Sequence, residues 1–471
     1  MPRFLSATPN AQLFPLPWGT PLAEWPEDHL VALPRGISRH IVRFIKVGDD
    51  VLAAKEVNET LALHEYRVLH DLMRLHTPAV EPVGVISARH GYAGQPLDPI
   101  LLTKHLEFAL PYRSLFTPGV RNETVSRLLD AMVVLLARLH LSGLMWGDVS
   151  LSNILFRRDA GEFAAYLVDA ETAELHDQLS NGQRQHDLSI ARVNIFGDFC
   201  DLGAGGMLDE SLDPLTLVDT IECRYNELWH ELTGIEEFSG SELHRIEHRV
   251  RRLNALGFDI AELDIDASAD GQTIRIQPKV VDAGHHSRRL LRLTGLDTEE
   301  NQARRLLNDL DTYVVRCNLQ GLDEAVAAHR WLTDCFEPVV NQIPPELMGK
   351  RDPAQVYHEL LDYRWYQSQR EERDVPLLEA AQGYMRDVLV NLPDEATIAL
   401  APVARAQLNP YDPSLGFADD PGTELLPPVI DPWETDEDEI DLTAASRLDI
   451  DALRAKASGQ SSGDFARGSP S

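Results

Sequence analysis

The spacing of three polar residues within Leu139–Glu171, LHLSGLMWGDVSLSNILFRRDAGEFAAYLVDAE, constrains this chain more than any other feature. Asn153 follows Asp148 by five residues, and Asp169 follows Asn153 by sixteen. Between the last two lie the apolar runs Ile154-Leu155-Phe156 and Tyr166-Leu167-Val168, which read as short strands. An aspartate and an amide therefore share one loop, and a second carboxylate ends a strand. An aspartate that can take a hydroxyl proton, an amide oxygen that can hold a metal and a carboxylate that can hold metal on a triphosphate are the groups that phosphoryl transfer requires. ATP and Mg²⁺ are the substrate and ion this set implies. Each residue alone reads equally well as a turn or cap residue; the joint spacing carries the reading.

Composition narrows the surroundings. At 471 residues the chain exceeds one ordinary core, so two domains with tails are expected. A net charge of −32 argues against general nucleic-acid binding, which relies on Lys and Arg replacing counterions along phosphates. Part of the charge sits after Trp433, in Glu434, Asp436, Glu437, Asp438, Glu439 and Asp441, a run that reads as a solvated tail. Cys200, Cys223, Cys317 and Cys335 are far apart, with no Cys-x-x-Cys pair, so neither zinc nor a disulfide framework is indicated. Early Pro9, Pro15 and Pro17 break any signal-peptide core, and no window is apolar enough to span a bilayer. A cytoplasmic location is the expectation.

Along the chain, residues 1–27 are Pro-rich and read as an extended lead-in. Residues 29–33, 40–47 and 51–57 are short β-branched runs separated by turn signals, and read as three antiparallel strands. Apolar residues at helical spacing follow from Glu59 to Leu75; VEPVGVIS and DPILLTKHL read as two more strands. A long amphipathic helix is expected from Asn122, as N-cap, to about Leu141. Helical patterns then dominate about 211–392, interrupted by a hairpin around Asp270-Gly271. The tail from 401 to 471 is acidic, low in complexity and expected to be disordered.

Taken together, Leu139, His140, Gly143, Trp146, Gly147, Asp148, Asn153 and Asp169 resemble the protein-kinase-like superfamily, most closely its lipopolysaccharide-core kinase and aminoglycoside phosphotransferase branch. Trp146 stands where that family usually has histidine, and Ala170-Glu171 follows Asp169 in place of Phe-Gly. The resemblance implies an α+β, bilobal protein-kinase-like fold over 28–205, with Asp148 as catalytic base and Asn153 and Asp169 as metal ligands. It further implies Lys55 on the α and β phosphates, Glu65 as the partner of Lys55, and Asp187 as support for the catalytic loop. Glu56 and Glu59 compete for Lys55, and Lys46 competes for the lysine role; Glu171 reads as a further metal or water ligand or as the first turn of a helix. The phosphate-covering loop would be Pro34–Arg39, where Gly36, Ser38 and Arg39 are the candidate contacts; it has one glycine where protein kinases carry three. Only fifteen residues separate Glu171 from Asp187, too few for a peptide-docking activation segment, so a small-molecule or glycolipid acceptor is favoured over a protein.

The mainly helical region 206–400 resembles a domain of unknown function found beside lipopolysaccharide-kinase-like lobes in actinobacterial proteins. It carries basic clusters, Arg245 to Arg252 and His285 to Arg292, and the aromatic helix VYHELLDYRWYQSQREE, which reads as packing and contact surface. His358 and Asp362 share a face there, too few ligands for a metal site. Two functions compete: an ATP- and Mg²⁺-dependent phosphotransferase, favoured by the intact Asp148, Asn153 and Asp169, and a nucleotide-binding pseudokinase whose C-terminal domain binds a protein partner, favoured by the glycine-poor loop and Trp146.

Overall fold

The computed structural model describes residues 2–396, apart from 8–9, 32, 34–39, 49, 235 and most of 240–281. The expectations placed on Gly36, Ser38 and Arg39, on the Arg245–Arg252 cluster and on the acidic tail lie outside the described residues.

Alternating apolar residues drive the first sheet. Strands β1 (Arg3–Leu5), β2 (Leu30–Val31), β3 (Ile41–Val47), β4 (Asp50–Glu56) and β5 (Pro82–Ser87) are followed by a small hairpin, β6 (Arg89–His90) with β7 (Pro96–Leu97), and by β8 (Ile100–Lys104). The six-stranded antiparallel sheet has the order β1-β5-β8-β4-β3-β2. Helix α1 (Glu59–Arg74) covers one face, where Ala62 and Tyr66 pack on Val57, Val85 and Leu101. The neighbouring residues Ile86, Ile100 and Leu102 point to the other face, as the pleat requires.

That second face corrects the reading of residues 1–27 as a lead-in. The segment contributes β1 and three 3₁₀ turns, and buries Leu13, Trp18, Leu22 and Trp25 against Ile45, Val47, Leu52 and Ala54. An antiparallel sheet whose strands are apolar on both faces needs a cover on each, and the prolines suit this cover to irregular backbone rather than to a helix.

The second lobe is built on α2 (Asn122–Leu141), buried on several sides through residues such as Leu128, Met132, Leu135 and Leu139. Arg121, not Asn122, occupies the N-cap position, and its side chain makes no capping bond. Around α2 lie β9 (Ala109–Pro111), the pair β10 (Leu144–Met145) with β13 (Glu174–Leu175), the hairpin β11 (Ile154–Asp159) with β12 (Glu162–Leu167), and helices α3 (Asn181–Ala204) and α4 (Pro214–Thr233). Their apolar faces form one core that includes Trp146, Phe156 and Phe199.

Beyond α4 more strand is present than the single expected hairpin. β14 (Glu236–Ser239), β16 (Glu262–Ala267) and β17 (Thr273–Lys279) form one sheet, and β15 (Phe258–Asp259) pairs with β18 (Asp282–Ala283). Helices α5 (His285–Thr294), α6 (Glu300–Arg316), α7 (Glu324–Trp331), α8 (Glu337–Val340), α9 (Pro353–Glu371) and α10 (Leu377–Asp387) then enclose a separate core around Trp331, Tyr357 and Tyr384. The polar tips of these rings are satisfied: Trp331 Nε1 and Tyr357 OH both donate to Asp309, at 2.8 and 2.9 Å. Of the aromatic helix, Tyr357 is fully buried while Trp365 is half exposed.

Candidate active site

The catalytic-loop candidates sit between α2 and β11, on backbone fixed from below. Asp187, on α3 and completely buried, accepts from Trp146 N and Gly147 N, each at 2.8 Å, and from His140 Nε2 at 3.0 Å. His140 Nδ1 meets Tyr225 OH at 2.6 Å. Three donors converging on one carboxylate compensate its burial. Gly147 has φ +78°, and a Cβ there would come within 3.0 Å of Thr172 O, so the turn that delivers Asp148 requires glycine.

Above this support, Asn153 Nδ2 donates to Asp148 O at 2.9 Å and to Asp148 Oδ2 at 3.3 Å. Because both partners only accept, the orientation of the amide is settled, and its oxygen is left to face elsewhere. Asn194, from α3, donates to Asp148 Oδ1 at 3.1 Å. Four residues on, Asp198 accepts from Leu151 N at 2.7 Å; burial and then the neighbouring Asp201 raise its carboxyl, against bonds from Leu151 and Ser152, to about 6.

Lys55 of β4 lies across the cleft. Its Nζ is 3.0 Å from Glu65 on α1, 2.8 Å from Asp169 and 3.1 Å from Glu171. Burial works to lower its pKa, but Glu65 and Asp169 outweigh it and hold the ammonium well above its ordinary value. Glu65 is 1% exposed, and burial, then repulsion from Asp169, lifts its carboxyl to about 7 in spite of Lys55. The competitors are engaged or distant: Glu56 pairs with the buried Arg89 at 2.6 Å, and Lys46 points outward from β3. Glu171 lies in a turn, not in a helix, and also meets His40 Nε2 at 2.9 Å.

The segment after Asp169 is tied down on both sides. Trp146 Nε1 donates to Asp169 O at 2.9 Å, so the tryptophan in the usual histidine position supplies a ring N–H that joins the loop to the segment holding Asp169. His64 of α1 meets Ala173 O at 2.8 Å. From there the chain passes through the short β13 directly into α3. Sequence reasoning missed Asn194, which belongs to no spacing pattern, and the links of Lys55 and His40 to Glu171. The retained N–H of Trp146 was the one readable signal among these contacts.

The carboxylates of Glu65, Asp169 and Glu171 offer oxygens within 4.8 Å of one another. These donors are hard and oxygen-only, the kind of ligand Mg²⁺ takes.

A small antiparallel lobe with a Lys–Glu pair meets a helical lobe with an Asp/Asn loop and a strand-end Asp, an arrangement that supports a kinase-like phosphotransferase. Residues 39–193 match the model of the lipopolysaccharide kinase (Kdo/WaaP) family, and residues 227–389 match that of a domain of unknown function, DUF4032. The first match lies over the Lys55–Asp169 site and the second over the helical domain that follows it, and each spans about a third of the chain. No curated protein matches it. Among solved structures it is similar to WaaP in complex with acyl carrier protein, at 14% identity over 54% of this chain and 99% of that one, with a TM-score of 0.32.

Proposed function

We propose that the protein is an ATP- and Mg²⁺-dependent phosphotransferase that moves the γ-phosphoryl group to a hydroxyl of a sugar, glycolipid or other small molecule. The observation that carries this is the Asp148 carboxylate, braced by Asn153 and Asn194, on a loop that the Trp146 Nε1–Asp169 O bond ties to the Lys55–Glu65–Asp169 cluster. Asp148 orients the acceptor hydroxyl and takes its proton as the acceptor oxygen bonds to phosphorus and ADP leaves. In a loose transition state that proton moves late, so placement matters more than basicity. Lys55 balances phosphate charge, and Glu65 holds Lys55 in place. Asn153 and Asp169 are the residues that would hold Mg²⁺, which supplies charge neutralisation on the phosphates. The short passage from Asp169 to α3 leaves no long segment for docking a peptide, which supports a small acceptor. Among the described residues no helix is long and apolar enough to cross a membrane.

The test is ATP binding and turnover, with and without Mg²⁺, in the wild type, Asp148→Ala and Asp169→Ala. Asp169→Ala is expected to lose the Mg²⁺-dependent part of binding. Asp148→Ala is expected to keep binding and lose turnover. Binding without turnover across an acceptor panel would favour the pseudokinase, and a wild type that binds no ATP would end the kinase reading.

A further inference from the structure

The hairpin β11–β12 carries both proposed metal ligands at its open end. Asn153 immediately precedes β11, Asp169 follows the end of β12 by two residues, and Val168 N donates to Asn153 O at 3.1 Å. Six residue pairs, from Ile154↔Leu167 to Asp159↔Glu162, make a ribbon roughly 17 Å long. One face of it, Ile154, Phe156, Phe163, Ala165 and Leu167, enters the core of the helical lobe.

The other face, and the tip, are held by the C-terminal domain. Tyr166 OH, one pair from the open end, donates to Glu299 at 2.7 Å, and Arg157 pairs with Glu299 at 2.9 Å. At the tip, Asp159 accepts from Gln302 N at 2.8 Å and from Asn301 Nδ2 at 2.9 Å, so it receives the first turn of α6. Gln302 Nε2 donates to Arg158 O at 3.0 Å. Gln355, on α9, accepts from Ala160 N at 3.0 Å and donates to Ala160 O at 3.1 Å. Arg158 reaches Glu395 at 2.9 Å. Glu299, Gln302, Gln355 and Asp159 are all buried, so these bonds are made out of competition with water.

We propose that the C-terminal domain supplies positioning residues, Glu299 and Gln302 foremost, that set the β11–β12 hairpin and through it the placement of Asn153 and Asp169 for metal. The inference rests on the function proposed above. A ribbon packed by one face alone can tilt on its core; bonds along the opposite face and at the tip remove that freedom. Outer groups that orient metal ligands typically change metal affinity by about 10–100-fold when lost.

The experiment compares full-length Glu299→Ala, Glu299→Gln and Tyr166→Phe with the wild type. Arg305→Ala serves as control, since it breaks a 2.7 Å pair with Asp362 inside the C-terminal domain. Two quantities are read: the Mg²⁺ concentration that half-saturates Mg²⁺-dependent ATP binding, and amide exchange over 153–169 without ligand. Glu299→Ala and Tyr166→Phe are expected to raise the half-saturating Mg²⁺ about tenfold or more, leave metal-free ATP affinity within about twofold, and speed exchange over 153–169. Glu299→Gln, which can still accept from Tyr166, is expected to stay near wild type. Tyr166→Phe removes one hydroxyl, and so keeps the test alive if Glu299→Ala does not fold. Unmoved Mg²⁺ dependence in folded variants, or an equal shift in Arg305→Ala, would overturn the inference alone. A wild type without Mg²⁺-dependent ATP binding would overturn the proposed function and the inference with it.

Discussion

Gly143 and His176 hold two strands of backbone closer than any side chain would allow. His176 N donates to Gly143 O at 2.9 Å, Gly143 has φ +87°, and a Cβ built there would lie 2.0 Å from His176 O. The contact brings the start of the loop that carries Asp148 against the segment that leaves Asp169. Gly143→Ala therefore adds left-handed strain to a backbone collision, and should cost roughly 2–4 kcal/mol, read as a lower urea midpoint. At this scale the sequence was legible where spacing singles out residues: the structure brings Asn153 onto Asp148, and Asp187 stands where a loop support was expected. Asn194 was not legible. One amide on a helix has no periodicity to betray it, and its meaning arises only when α3 passes beneath Asp148.

Helix α3 begins on a reciprocal cap. The Ser180 hydroxyl accepts from Gln183 N at 3.3 Å, and Gln183 Oε1 accepts from Ser180 N at 3.0 Å. The cap fixes where the helix starts, and hence the heights of Asp187 and Asn194 along it. Ser180→Ala should lower stability by about 1 kcal/mol, seen as a shift in urea midpoint without a change of slope. Elements with a clear local signal were readable from sequence: β-branched runs between turn signals gave β3 and β4, and the helical spacing of apolar residues gave α1 and α2. Leu13, Trp18, Leu22 and Trp25 follow neither pattern, because they pack as one cluster on a sheet formed by residues far along the chain. No local pattern encodes such a cover. Likewise β14 and β15 are short and pair only across long separations, which single-sequence periodicity does not register.

At the scale of the whole molecule, the β11–β12 hairpin meets α6 and α9 through charged and polar groups, and the sequence could not show this: Glu299 and Asp159 are 140 residues apart and each reads locally as an ordinary surface acid. Burial raises Glu299 to about 7 against the pull of Arg157, and raises Asp159 to about 6 against its bonds to Gln302 and Asn301. The docked state thus keeps protons that the separated domains release above ordinary carboxylate values. Docking stability is fully present below about pH 4, falls as pH rises through 6 and 7, and is flat beyond, with a slope of up to about 1.4 kcal/mol per pH unit for each group inside its window. Amide exchange at the first turn of α6 and over the β11–β12 hairpin should therefore quicken between pH 5.5 and pH 8 beyond its intrinsic pH dependence. Glu299→Gln, which does not titrate, should lose its share of that increase while keeping the bond to Tyr166. If protection instead grew with pH, the ionised Glu299–Arg157 pair would be the state that docking prefers, and burial would have been outweighed at this interface.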